Sequence, residues 1–350
     1  MKHIFILVLL AFISCKTKAP VTERIKPIVN TPSMSVKSDF TIAFGSGNNQ
    51  KKDNPFWDAI LTHKPNVWIW GGDNIYCDTE DMKILRKCYQ TQLDKPDYKN
   101  FIKKTEIIGV WDDHDYGIND GGEEYSQKVA SQDIFLDFLD VLCLSKRRKQ
   151  EGTYHSKVYE VNGKKLNVIL LDTRYFRSAL TPNTKGKKRY KLNANGVGTM
   201  LGTAQWQWLE NELNNSTADY NIIVSSIQFL SKEHGFEAWG NMPHEVEKLE
   251  KIIVASNAKR VFILSGDRHI SEVSKKEIGE NNYPLIDFTS SGLTHAYTKF
   301  KKEKNEYRVS KVIHQKSYGL VKFLFNTNEV IFEMWGEEKQ LLGSYQISLE

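Results

Sequence analysis

No Cys-x-x-Cys pair occurs among the four cysteines, Cys15, Cys77, Cys88 and Cys143, and without that spacing neither a zinc ribbon nor a dithiol redox site is indicated. A Walker-type phosphate loop and a Gly-x-Gly-x-x-Gly fingerprint are also missing, which argues against nucleotide-driven and nicotinamide-dependent enzymes. No Gly-x-Ser-x-Gly elbow is present, so the main signature of a serine-nucleophile hydrolase is absent too. Excess charge is slight: 48 Lys and Arg against 43 Asp and Glu leave +5. That suits an anionic substrate but falls well short of a nucleic-acid-binding composition, and no nucleic-acid function is read from it. No long internal repeat is found, and the apolar run Ile4 to Ile13 is too short to span a bilayer.

What is present is a chain of 350 residues, 40% hydrophobic and 26% charged, enough for a substantial core, with one large domain expected. Met1-Lys2-His3, the Ile4 to Ile13 run and Ser14-Cys15 resemble a bacterial lipoprotein signal, with Phe12 where the lipobox usually has Leu. The resemblance implies a signal peptide over 1–14, acylation of Cys15, and export as a lipoprotein anchored to the cell envelope, in the periplasm or at the outer membrane. Residues 15–38, rich in Thr, Pro, Ser and Lys, read as a flexible tether, leaving 39–350 as the folded domain. Cys77, Cys88 and Cys143 then remain. An odd number leaves at least one unpaired, and a Cys77–Cys88 bridge is one option that the sequence does not fix.

Along the domain, short apolar runs repeatedly end in polar residues. Phe40 to Phe44 runs into Gly45-Ser46-Gly47-Asn48-Asn49; Val67 to Trp70 into Gly71-Gly72-Asp73-Asn74-Ile75-Tyr76; Glu106 to Trp111 into Asp112-Asp113-His114-Asp115. Lys165 to Leu171 leads to Asp172-Thr173-Arg174, and Val261 to Ser265 to Gly266-Asp267-Arg268-His269. Between them, helices are expected from Asn54 (N-cap, with Pro55 at the first position) to Leu61, over Asp81 to Gln92, Tyr98 to Lys104 and Ser126 to Leu144, from Thr203 as N-cap, and over Pro243 to Ala255. The Ser126 to Leu144 helix is expected to bury Val129, Ile134, Phe135, Phe138, Leu139 and Leu142. Asn162-Gly163 marks a hairpin between Thr153 to Val161 and Lys165 to Leu171. Residues 177 to 202 read as a long loop with a basic run, Lys185 to Arg189, and Tyr318 to Ser348 alternates like an antiparallel meander. Strands alternating with helices imply an α/β fold, with the site where the polar strand ends converge.

Those ends pool Asp73, Tyr76, Asp113, His114, Asp267 and His269, with Asn48, Asn74 and Asn119 close by in sequence. Taken singly, an Asp after a strand is usually a helix cap, Tyr76 could be a core tyrosine, and Asp113 and His114 could satisfy one another. Taken together, several carboxylates in one cleft would repel one another unless cations lay between them, so two or more bound metal ions are expected.

The ordered motifs Phe44-Gly45-Ser46, Gly72-Asp73-Asn74-Ile75-Tyr76, Trp111-Asp112-Asp113-His114-Asp115, Leu171-Asp172-Thr173-Arg174, Trp239-Gly240-Asn241, Ser265-Gly266-Asp267-Arg268-His269 and Thr289-Ser290-Ser291-Gly292-Leu293-Thr294-His295 resemble the alkaline phosphatase D (PhoD-like) family of calcineurin-like metallophosphoesterases. The resemblance implies a four-layer α/β/β/α sandwich. It implies Asp73 as a bridging metal ligand, Tyr76 as a phenolate ligand, Asp113, Asp267 and His269 as further ligands with Asn119 a weaker one, and His114 as the acid or phosphate-orienting histidine. Arg174 and Arg268 are the candidate phosphate-facing arginines. Relatives commonly read Phe-Gly-Ser-Cys, the thiolate binding iron, whereas Gly47 stands here. Loss of the soft donor favours Ca²⁺, with Mg²⁺ or Mn²⁺ as alternatives, and leaves Tyr76 as the one feature pointing to Fe³⁺.

The implied activity is hydrolysis of a small-molecule or lipid phosphate ester, mono- or diester, by metal-held hydroxide. One rival is a phosphodiesterase or phospholipase C-like enzyme at the same centre, with Trp68, Trp239 and the 177–202 loop as an apolar wall. The other is an anion-binding lipoprotein that has lost catalysis.

Overall fold

A computed structural model describes residues 37–279 and 283–349. The proposed signal segment, Cys15 and the tether up to residue 36 lie outside the described residues. In chain order the elements are β1 (Phe40–Gly45), α1 (Trp57–Thr62), β2 (Val67–Gly71), α2 (Met82–Leu93), α3 (Pro96–Ile102), β3 (Glu106–Val110), α4 (Asp113–Tyr116) and α5 (Lys128–Phe138). There follow β4 (His155–Val161), β5 (Lys164–Leu170), the short pair β6 (Thr181–Pro182) and β7 (Tyr190–Lys191), α6 (Gly202–Asn214), β8 (Tyr220–Val224), α7 (Pro243–Ala255) and β9 (Val261–Ser265). The chain ends with β10 (Ser271–Lys276), β11 (Leu285–Ser290), β12 (Tyr318–Leu324), β13 (Glu329–Trp335) and β14 (Leu341–Ser348).

Side-chain alternation explains the layering. Phe40, Ile42 and Phe44 of β1 and Val67 and Ile69 of β2 share one cluster with Leu166, Val168 and Leu170 of β5, Ile222 and Val224 of β8 and Phe262 and Leu264 of β9. Successive strand residues face opposite ways, so the intervening ones look outward. Ala43, Trp68 and Trp70 pack against α1, α2, α3 and α5, and Ile169, Ile223, Val261 and Ile263 pack against α6 and α7. Both faces of each central strand are therefore apolar, which is why these runs read as continuous rather than alternating. The result is helices, sheet, sheet, helices: the expected four-layer α/β/β/α sandwich. One sheet has the order β14-β13-β12-β1-β2-β3, the other β10-β11-β9-β8-β5-β4. The pairs β1–β2, β2–β3, β5–β8, β8–β9 and β9–β11 are parallel, so these strands end on one rim of their sheet.

The hairpin at Asn162-Gly163 and the meander β12–β14 form as expected. Several boundaries move. Helix α1 starts at Trp57, not Pro55, because the Asn54 side chain caps the Phe56 N–H within a turn before it. Helix α6 starts at Gly202, so Thr203 is already inside it, with Leu201 at the cap position. Helix α5 stops at Phe138, and of its expected buried face Val129 and Leu142 are 62% and 77% exposed. Among the described residues no helix is long and apolar enough to cross a membrane.

Cys77 and Cys88 form a disulfide and Cys143 is free and exposed. The bridge ties the segment after β2 to the middle of α2, closing a loop 11 residues apart in sequence. Cys88→Ser is expected to lower the unfolding free energy by about 3 kcal/mol, the usual yield of closing a loop of that length, measurable by denaturant titration of oxidised protein.

Candidate metal centre and phosphate cavity

The two sheets are drawn together at the rim where the site lies. Ser46 after β1 bridges to Ser291 after β11. At Gly72 the backbone has φ +90°, and an added Cβ would come within 2.6 Å of the Asp112 Cβ and 2.9 Å of the Ser226 Cβ. Only glycine fits such an approach. The turn it makes sets Asp73 in the left-handed region, φ +50°, and Asp267 and His269 are held likewise at +63° and +53°. Such conformations cost free energy that surrounding packing must offset, and they gather at functional sites.

A cavity of about 220 Å³ opens there, lined by Asp73, Asp113, His114, Asn119, Asp267, Arg268 and His269, and also by Asp120, Arg189, Phe236, Glu237 and Tyr297. At one side the Tyr76 hydroxyl donates to Asp73 Oδ2 at 2.8 Å and lies 2.7 Å from His269 Nε2. Ligand-type atoms of Asp73, Asp113 and His114 fall within 4.8 Å of one another, and so do those of Asp113, Asp120 and Glu237. Asp113 is common to both groups.

The electrostatics show what such a cluster needs. Burial and then the Asp113 charge push the Asp73 carboxyl up to about 7. Asp267 is raised well above the carboxylate range, by burial first and then by Asp112. Burial also acts on Asp113, but Arg174 and His114 outweigh it and hold the group down at about 2. Burial, then the charge of Asp73, lifts the Tyr76 phenol well above its ordinary value, so a phenolate there requires a nearby cation. The Asp73 residue is 1% exposed, and its Oδ1 has no hydrogen-bond partner among the described residues. A buried carboxylate oxygen left unpaired is expensive, and a bound cation would satisfy it. Carboxylates, an amide, imidazole and a phenol form a donor set that fits hard or borderline divalent ions. No thiolate is at hand: Cys77 is bonded to Cys88, and at Gly47, with φ +73°, a Cβ would lie 3.1 Å from the Gly292 nitrogen and 3.3 Å from His269 Cδ2. The backbone at 47 is thus already shaped for glycine.

Arg174 does not reach the cavity, which corrects its expected role as a phosphate-facing group. Its side chain is fully buried, donating to Asp112 Oδ1 through Nε at 2.6 Å and also through Nη2, and to Glu237 Oε2 through Nη1 at 2.7 Å. The Asp112 captor immediately precedes the cavity residue Asp113, so Arg174 braces the wall from behind. Arg174→Met would leave the buried Asp112 without its arginine, while Glu237 keeps Arg177 at 2.9 Å, and a stability loss of about 3–5 kcal/mol is expected, read by denaturant unfolding. Arg268 does line the cavity. It pairs with Glu303 through Nη2 at 3.0 Å and lies 4.2 Å over the Phe236 ring.

Asn48 and Asn74 prove to be scaffolding: Asn48 Nδ2 donates to the Asn74 carbonyl and to Gln92 Oε1, and Asn74 Nδ2 to Asp115 and the Val110 carbonyl. Trp68 and Trp239 are wholly buried and form no wall of the cavity; the aromatic groups there are Phe236 and Tyr297. Sequence reading missed Asp78, whose carboxylate accepts from His114 Nδ1 at 2.7 Å, along with Asp120 and Glu237, and it placed Arg189 only as the end of a basic run. None of these sits at a strand end, and only their loops' return to the cavity reveals them.

The family model described as PhoD-like phosphatase matches residues 42–340. Alkaline phosphatase D of Bacillus subtilis (strain 168) is 31% identical over 117 residues, covering 31% of this chain and 20% of that protein. The chain thus aligns with about one fifth of that curated relative. Among solved structures, one titled as the structure of PhoD superposes with a TM-score of 0.71 at 18% identity, covering 95% of this chain and 71% of that one. A dimetal phosphatase from Danio rerio matches at TM-score 0.55, 11% identity and coverage of 90% and 100%. GAP50 of Plasmodium, described as an anchor in the inner membrane complex, matches at 0.55, 12% identity and 90% of both chains.

Proposed function

This chain belongs to the PhoD-like phosphatase family, and on that premise we propose that it is a metal-dependent phosphoesterase hydrolysing phosphate monoesters, diesters or both. One observation carries the proposal: Asp73, Asp113, Asp267, His114 and His269, from three separate strand ends, meet Arg268 in a single cavity that contains a buried, unpartnered carboxylate oxygen. Asp73, Tyr76, Asp113, Asp267 and His269, with Asn119, Asp120 and Glu237 alongside, would hold divalent cations, Ca²⁺ in first place. Bound there, such ions supply positive charge against the phosphoryl oxygens and make water acidic enough to attack at neutral pH. The other parts belong to the chain. Arg268 offers charge to an equatorial oxygen, and Phe236 and Tyr297 flank the group being released. His114, with Nδ1 engaged by Asp78, has Nε2 left to donate a proton to the departing oxygen.

In the metal-free site burial lowers the His114 pKa, but the Asp78 hydrogen bond and the charges of Asp73 and Asp113 overcome this and lift it to about 10. Cations held by Asp73 and Asp113 would offset those two charges and leave the Asp78 hydrogen bond as the lifting contribution; a general acid must be protonated, so activity is lost as pH rises through the His114 pKa of the metal-loaded enzyme. Asp78→Asn removes the first of the lifting contributions, and the basic limb of kcat/KM is expected to move to lower pH. An unmoved limb would remove Asp78 and His114 from the acid role.

Measuring release from a monoester and a diester at matched concentration assigns the preference. Absence of turnover on both by metal-replete protein would instead support an anion-binding role, since fold alone does not carry activity. Export and acylation at Cys15 are part of the same proposal. The Cys77–Cys88 disulfide supports them, because such bonds persist in oxidising compartments. Metabolic labelling with a radioactive fatty acid, lost in Cys15→Ser, tests the anchor.

A further inference from the structure

We infer that the face around the cavity mouth docks on an anionic lipid bilayer. Three basic stretches lie within loops that leave the strand ends there: 46–52 after β1, 177–202 between β5 and α6, and 291–302 after β11. None contains an Asp or a Glu, and together they carry ten exposed Lys and Arg. Those ten are part of a chain total of 48 against 43 acidic residues, so the remainder of the chain is net acidic, the rim segments 72–81 and 111–127 included, and positive charge on this face is concentrated in the three stretches.

Contacts fix the loops in place. The Asn49 N–H donates to Thr294 Oγ1 at 2.8 Å and the Lys52 N–H to the Asn49 carbonyl at 2.9 Å, so the first stretch is tied to the third. Arg189 lines the cavity, and the Lys188 stem packs on Gly235 beside the lining residue Phe236. The backbone N–H groups of Arg189 and Tyr190 both donate to the Gly235 carbonyl, at 2.9 and 3.0 Å, so the basic loop is strapped across the rim. Lys299, Lys301 and Lys302 lie between Tyr297, which lines the cavity, and Glu303, which holds Arg268. Large apolar groups stand among these cations: Leu192 on the basic loop is 57% exposed, and Phe236 and Tyr297 at the mouth are 38% exposed each. Cations interspersed with exposed aromatic and aliphatic groups suit the interface of an anionic bilayer, where the first are drawn by lipid charge and the second enter the headgroup layer. A soluble polyanion would use the cations alone and leave the apolar groups in water.

The docking requires no turnover and stands independently of the proposed activity. It is tested with the full chain, whose basic N-terminal segment is common to every variant so that the comparison between variants isolates the rim, by flotation with vesicles of pure phosphatidylcholine and of phosphatidylcholine mixed with phosphatidylglycerol. Binding to the mixed vesicles is expected to exceed binding to the neutral ones and to fall with added salt. K185E/K187E/K188E should weaken the anionic preference by about 100-fold, while K83E/K87E/K251E, on exposed positions of α2 and α7, should keep it, both variants having wild-type melting temperatures. Equal binding to the two vesicle types would overturn the inference, as would equal weakening by the two variants. Retention of soluble polyphosphate without any preference for anionic vesicles would likewise overturn it and give the basic rim to a soluble polyanion.

Discussion

Asp73→Asn is expected to reduce phosphate-ester hydrolysis by about 10⁴-fold, the equivalent of the several kcal/mol of charge stabilisation that bound metal contributes, and at the same time to make the metal-free protein more stable. The second effect follows from the direction of the pKa shift. In the unfolded chain the carboxyl titrates near its ordinary 3.8, whereas in the folded, metal-free site it titrates near 7. Between those values the unfolded state has lost its proton and the folded state has kept it, so stability falls as pH rises from about 4 to about 7. At pH 8 the whole penalty is present. An amide does not titrate, so the variant avoids a cost on the order of a few kcal/mol. Divalent cations should reverse the ranking, since wild-type protein gains about 2.7 kcal/mol when the ion is at one hundred times its dissociation constant and the variant has lost a principal ligand. Melting curves in chelator and in Ca²⁺ read the crossing. A variant less stable than wild type in chelator would show that Asp73 is held by contacts other than those described.

His114→Ala is the second large effect. Loss of a positioned acid lowers kcat by about 10² to 10⁴, and the loss should depend on the leaving group. An alkyl phosphate releases a strongly basic oxygen and needs the proton, so it should lie near the top of that range. A nitrophenyl ester releases a stable phenolate and should lie near the bottom. A loss of the same size for both substrates would mean that the imidazole orients the phosphate instead of protonating what leaves. Melting temperature serves as the control, because the ring also lies 4.3 Å from that of Tyr76.

The strand ends were legible because buried parallel strands are apolar on both faces, so the change from Trp70 to Asp73 or from Ser265 to Asp267 is abrupt in the sequence. The α/β class followed from the same runs, whereas the four layers were expected from the family resemblance alone. The surroundings of the cluster were less legible. Arg174 follows a strand end in the same way as Arg268, and nothing in its local sequence reveals that Asp112 and Glu237 enclose it; only the packing of β3 beside the loop after β5 does. Asp78, Asp120 and Glu237 come from loops whose paths are set by a disulfide, by a left-handed residue at Asp120 and by the strap at Gly235. Val129 and Leu142 looked like core by their spacing, yet α5 ends before the second and its first turn leaves the first in solvent, because periodicity shows a face without showing how much of it is covered.

The central claim is that this cavity hydrolyses phosphate esters with cations its carboxylates hold. It is tested most directly by measuring phosphate-ester hydrolysis in chelator-stripped protein as Ca²⁺, Mg²⁺ or Mn²⁺ is added back, with elemental analysis of the same samples. The account predicts no turnover in the stripped protein, recovery in step with bound divalent ion, and no iron in the active material. Full turnover without bound metal, or turnover that tracks one tightly held iron per chain, would contradict it.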